Sequence, residues 1–155
     1  MPAVAVVPGI QVEADSGRRI ALLWSPTFDP AKTTIVEQPV MSLGQAGGTG
    51  TAEIEGNGDD TLAVRARSSG PALLVISRTY HPSWQAEIDG VPAPVIRANH
   101  ALMAVPLTRA GDHRVLLRYR PRIVYLAGAI SAGTWGMVLL VTALGVALDY
   151  RRRRG

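Results

Sequence analysis

Residues 123–148 carry no charged side chain, and four arginines, Arg151, Arg152, Arg153 and Arg154, follow almost at once. An uncharged, mostly apolar stretch longer than about 18 residues reads as a membrane-spanning helix. At 1.5 Å per residue it would cover about 39 Å, against a hydrocarbon core of about 30 Å, so it is long enough to tilt. Lys and Arg stay on the cytoplasmic side, so the tail is expected in the cytoplasm and residues 1–121 outside it. Tyr125 and Tyr150 stand near the two ends, where interfacial aromatics belong. Gly128, Ala132 and Gly136 recur every four residues and would line one face of the helix. Small residues at that spacing let another transmembrane helix approach closely.

The charge distribution supports the same assignment. The 155 residues carry 16 Lys and Arg against 12 Asp and Glu, for a net charge of +4. Acids and bases balance over residues 1–120, and the whole excess comes from Arg122 and the four tail arginines, less Asp149. The basic residues therefore flank the apolar run and suit anionic lipid headgroups, not a nucleic-acid groove. No cysteine is present, which excludes a disulfide framework and thiolate metal sites. Some 120 residues are enough to bury one core without such staples.

An external domain needs a route across the membrane. A secretory signal has a basic start and an apolar stretch of about 7–15 residues. Met1–Ile10 has no Lys or Arg, and Pro8-Gly9 interrupts its apolar residues. The expectation is that this sequence is the C-terminal piece of a larger membrane protein whose earlier helices supply the export; the alternative is a misassigned start codon that hides a signal peptide.

Upstream of the apolar run the pattern is that of short strands. Arg18–Ser25 reads as a short amphipathic helix stopped by Pro26. Thr33–Glu37 is β-branched and reads as a strand, and the glycines of 45–51 as a linker. From Ala52 onward the period is two. Leu62, Val64 and Ala66 face one way, with Arg65 and Arg67 opposite. Ala72–Ser77 is apolar on both faces, as a central strand should be. Trp84–Ile88 alternates into Asp89-Gly90, a two-residue hairpin signal, and on into Val91–Ile96, where Pro92 and Pro94 imply an edge or a bulge. Leu102–Pro106 and His113–Tyr119 complete the set. Strands at spacings of about 8–12 residues predict an antiparallel β-sandwich.

The expected layout has a short helix, strand and linker over 1–50 and an extracytoplasmic, jelly-roll-like sandwich over 51–121. A transmembrane helix over 122–150 and a basic tail over 151–155 complete it.

No catalytic constellation emerges. His81, His100 and His113 are isolated and lack the spacing of a zinc site, so they read as surface or strand-end residues. Gly47-Gly48-Thr49-Gly50 lacks the lysine and following helix of a phosphate loop. The most unusual cluster is Tyr80-His81-Pro82-Ser83-Trp84. Aromatics at such a loop-to-strand junction either plug the end of a sandwich or stack on sugars or lipid headgroups. Asp89, beside Trp84 in the chain, serves the hairpin turn and could also touch a sugar.

These residues together resemble a known family. Leu74, Ser77, Tyr80, Pro82, Trp84, Ile88, Asp89 and Gly90, then Ile96, Arg97, Ala98 and Asn99, then Ala110, Gly111, His113, Val115, Tyr119 and Pro121 follow the pattern of the C-terminal extracytoplasmic domain of YfhO-type bacterial membrane proteins. The upstream Phe28-Asp29-Pro30 segment is similar to the family as well. Ser83 replaces a usual glycine, Arg78 stands where an acid is common, and Arg109 replaces a proline.

The resemblance implies a multi-span protein of the polyprenyl-phosphate-sugar glycosyltransferase type, decorating cell-envelope polymers, with its catalytic acid in an early loop outside this sequence. The chain would then be an accessory domain, not catalytic on its own and without cofactor or metal. Its partners would be membrane lipids, other transmembrane helices and envelope glycan, the last contacting Tyr80, His81, Trp84, Asp89, Arg97 and Asn99. The competing reading is a stand-alone, singly anchored β-sandwich that binds carbohydrate or a membrane-protein partner.

Overall fold

The computed structural model describes residues 2–121 together with Met137 and Thr142. The chain divides into two compact units, Met1–Arg120 and Pro121–Gly155. In the second, Met137 and Thr142 are helical. The rest of the expected transmembrane segment, including Gly128, Ala132 and Gly136, and the tail arginines Arg151–Arg154 lie outside the described residues. Among the described residues, no helix is long and apolar enough to cross a membrane.

The first unit is mainly β, in two sheets. Its strands are β1 (Val4–Val7), β2 (Gly9–Val12), β3 (Thr33–Val36), β4 (Gly50–Asn57), β5 (Thr61–Ser68), β6 (Ala72–Thr79), β7 (Trp84–Ile88), β8 (Val91–Ala93), β9 (Ile96–Ala98), β10 (Leu102–Leu107) and β11 (Gly111–Tyr119). Helix α1 (Ser16–Leu23) lies between β2 and β3, and a single 3-10 turn spans Met41–Leu43. One sheet has six strands in the order β1-β6-β10-β9-β3-β2, the other five in the order β4-β5-β11-β7-β8.

Side-chain alternation decides how the sheets pack. On β5, Leu62, Val64 and Ala66 are buried while Arg65 and Arg67 are exposed. These residues, with Val115 and Leu117 of β11, meet Leu74 and Ile76 of β6 and Met103 and Val105 of β10 in one core between the sheets. Each of these Leu, Ile, Val and Met side chains contributes about 1.5–3 kcal/mol when fully buried. The alternate residues of β6, Leu73 and Val75, point to the far side of the six-stranded sheet. There they pack with Val7, Val36, Ala98, Ala104 and Leu43 of the 3-10 turn. A strand buried on both faces must be apolar throughout, which is why Ala72–Ile76 reads as it does.

Three features differ from the sequence expectation. Residues 1–50 do more than lead into the domain: they supply β1, β2 and β3, half of the six-stranded sheet. Val4–Val7 is a strand that Pro8 ends, and β1 pairs with β6 from Val4↔Ile76 to Val7↔Leu73.

The sheets are also not wholly antiparallel. β2 pairs with β3 in parallel, from Gly9↔Thr33 to Val12↔Val36. Parallel neighbours need a long crossover, and α1 provides it. The helix starts at Asp15, whose carboxylate accepts the Arg18 N–H at 2.7 Å, and ends at Trp24, two residues before Pro26.

Finally, Val91–Ile96 is not one strand. β8 belongs to the five-stranded sheet and β9 to the six-stranded one, with Pro94 and Val95 between them. Proline has no N–H to give a ladder, so the chain changes sheets there.

Candidate functional site

Five of the six residues expected to contact a ligand lie at one end of the domain. β6 finishes there, β7 begins, β9 turns into β10, and β11 delivers the chain to Arg120. The loop Tyr80–Ser83 crosses from one sheet to the other across this end. It is tied down by the Tyr80 N–H donating to the Ala101 carbonyl at 2.7 Å and the Arg120 N–H donating to the Ser83 carbonyl at 2.9 Å.

On one side of this loop is an aromatic ledge. Trp84 pairs across the strands with Tyr119, and their rings lie 5.3 Å apart, tilted by 57°. His81 meets the same Tyr119 ring edge-on at 5.4 Å. The Arg78 guanidinium lies 5.6 Å from the Trp84 ring and also bonds the Asn57 side chain. Trp84 packs partly on the core, whereas His81 is exposed. The ledge thus joins a structural plug to a reachable aromatic edge.

On the other side is a groove of about 520 Å³. Its floor and walls are Val36, Pro39, Val40, Met41, Pro94, Val95 and Ile96, and its polar groups are Glu37, Gln38, Ser42, Tyr80 and Arg97. The Arg97 guanidinium stacks 5.0 Å from the Tyr80 ring centre and donates to Glu37 Oε1 at 3.3 Å. The same Oε1 accepts from Arg19 at 2.9 Å. Arg19 is buried at the start of α1, where it also donates to the carbonyls of Glu13 and Ala14.

Asn99 and Asp89 have work inside the fold. Asn99 is buried with φ of 46°, and its Oδ1 accepts the Ile35 N–H at 2.8 Å while its own N–H donates to the Ile35 carbonyl. Asn99 and His100, both with positive φ, make the turn from β9 to β10. Asp89 lies at the far end of β7 from Trp84. With Gly90, at φ of 53° and 81°, it forms the two-residue hairpin between Ile88 and Val91. Its Oδ1 accepts the Arg114 N–H at 2.8 Å, and its Oδ2 lies 3.0 Å from His113 Nδ1. The Arg114 N–H and then the His113 bond hold its carboxyl below the usual carboxylate range.

Sequence reasoning missed Glu37, Arg19 and Tyr119 as partners of the expected residues, since only the tertiary fold brings them together. It also read His113 as a surface or strand-end residue, whereas its side chain is 4% exposed. Among the described residues, no group of three or more His, Asp or Glu could hold a metal ion.

The family model described as bacterial membrane protein YfhO matches residues 55–131. The chain carries a YfhO-family domain. The match begins in β4, takes in β5 to β11, and ends inside the uncharged run. It includes Tyr80, His81, Trp84, Asp89, Arg97 and Asn99, but not β1, β2, α1, β3 or the Val36–Ser42 wall of the groove. No curated protein and no solved structure matches the chain.

Proposed function

We propose that this chain is the accessory β domain and anchor of a YfhO-like membrane protein that takes part in glycosylating cell-envelope polymers. In this reading its role is positioning, and the transfer chemistry belongs to a portion outside this sequence. The observation that carries it is the span of the family match, which runs unbroken from the β domain into the uncharged run. The match takes in the β domain and the first nine residues of the run, 123–131, which supports reading the two as one unit. The chain order supports a jelly-roll-like winding: β5, β6, β7 with β8, β9 with β10, and β11 alternate between the two sheets. The exposed edge of the His81, Trp84 and Tyr119 ledge is the surface proposed to meet glycan, because an aromatic face suits the apolar face of a sugar ring.

The absence of cysteine makes a topology test direct. Single reporters Gln85→Cys and Gly155→Cys are introduced into the full chain in bacterial cells. A membrane-impermeant maleimide should label Gln85→Cys in intact cells and Gly155→Cys only after permeabilisation. The opposite pattern would refute the orientation. For the glycosylation role, disrupting the gene should lower the sugar content of envelope polymers, and wild-type chain should restore it. Unchanged polymers in the disrupted strain would remove that role while leaving the anchored β domain standing.

A further inference from the structure

The groove beside Tyr80 has an imbalance of charge that the fold alone does not require. Two guanidinium groups, from Arg19 and Arg97, converge on one oxygen of one carboxylate, Glu37 Oε1. Their situations differ. Arg19 is 6% exposed and holds two further carbonyl acceptors, so it is fixed. Arg97 is 45% exposed, and Glu37 is its only hydrogen-bond acceptor among the described residues. An ion pair as exposed as Arg97–Glu37 is worth little and exchanges readily. Arg97 can therefore leave Glu37 for another oxyanion while Arg19 keeps Glu37 neutralised. The Tyr80 ring beneath the guanidinium limits its wandering and keeps its N–H edge over the groove.

The surroundings specify the rest of the ligand. The groove lies within the volume range of small-molecule sites. Apart from Arg97 and Glu37 its lining carries no charge, and Val36, Pro39, Val40, Pro94, Val95 and Ile96 make its apolar walls. Met41 stands at its rim, 88% exposed, with the adaptable side chain that can close over an apolar body.

We propose that this groove binds a small amphipathic anion, with a carboxylate or phosphate on Arg97 and an apolar body against the proline-lined wall. This goes beyond the glycosylation reading and does not depend on it. The guanidinium fork matches either oxyanion through two parallel hydrogen bonds.

The test uses the full chain in lipid nanodiscs, titrated by calorimetry with octanoate, octyl phosphate, glucuronate and the neutral octyl glucoside. Saturable binding of octanoate or octyl phosphate, with octyl glucoside about tenfold weaker or absent, is the expected result. Preference between the first two assigns the anion as carboxylate or phosphate. Arg97→Gln should weaken the anion about tenfold, and Arg97→Lys, which keeps the charge but not the fork, should weaken it less. Arg97 is a surface residue, so both variants should fold, and their thermal midpoints check this. Binding of octyl glucoside as tight as that of the anions, an Arg97→Gln affinity equal to wild type, or no binding of either octyl anion would overturn the proposal. Binding of glucuronate alone would also overturn it, since that ligand has no apolar body.

Discussion

The Asp89 carboxylate and the buried His113 imidazole form a clamp, 3.0 Å from Oδ2 to Nδ1, that joins the β7–β8 hairpin to β11. The other ring nitrogen of His113 lies 3.1 Å from the Arg109 carbonyl, so the same side chain also holds the turn before β11. Removing the carboxylate strands a polar ring that the sheets have already taken out of water. Asp89→Ala is expected to cost about 1–3 kcal/mol, read as a lower urea midpoint. The carboxyl is held below its ordinary value of 3.8, so its contribution is present above that value and lost as pH falls through the lower, folded-state value. The stability gap between wild type and Asp89→Ala should therefore narrow in strong acid. A gap that widens there would contradict this sign.

Asn99 is held twice by Ile35, through its side chain and its backbone, and sits at positive φ. Asn99→Ala loses the acceptor for a buried N–H and places alanine in left-handed backbone. A loss of about 2–3 kcal/mol is expected. Asn99→Asp keeps an acceptor and a residue type that tolerates this backbone, so it should lose less. Equal denaturation midpoints for the two variants would show that the Oδ1 bond is not what matters.

Two glycines of β4 make opposite predictions. A Cβ on Gly50 would fall on the carbonyl of Arg67 in the neighbouring strand, so Gly50→Ala must push β4 away from β5. A Cβ on Gly56 would meet only the Ala63 Cβ at 3.6 Å, an ordinary contact. Gly56→Ala should be neutral or stabilise by about 0.4–1 kcal/mol through the unfolded chain. Thermal denaturation should show Gly50→Ala lowered and Gly56→Ala unchanged or raised, and a stabilised Gly50→Ala would count against the tight β4–β5 approach.

Trp84 combines core packing with ring contact to Tyr119. Trp84→Ala is expected to destabilise by about 2–3 kcal/mol, less than full burial would give, and Trp84→Phe should recover most of it. If Trp84→Ala unfolds at the wild-type denaturant concentration, the ledge is not a plug and serves only its exposed surface.

Much of this fold can be read where one face is wet and the other dry. The alternation of Leu62 to Arg67, the doubly apolar run of β6 and the Asp89-Gly90 hairpin are local signals, and the structure agrees with each. β1 escaped notice because four residues before Pro8 are too few to show a period. The parallel register of β2 and β3 has no local signal, since it depends on a crossover that only the assembled sheet defines. The site was legible as residue types and not as geometry. Tyr80 and Arg97 stood out in the sequence, but Glu37 and Arg19 join them across separations that no spacing rule spans. His113 was misjudged although it shares the inward face of β11 with Val115 and Leu117; what the sequence could not show is its partner Asp89, 24 residues away along the chain.

The strand that leads to the junction is not an edge. β11 is bonded to β5 from Gly111 to Arg118 on one side and to β7 from Val115 to Tyr119 on the other. A pull along the axis of that central strand would be resisted by both ladders at once, in shear. An edge strand pulled sideways would instead peel one bond at a time. The chain thus leaves the domain from a strand held by two neighbours, so a load on that end would be shared between two ladders.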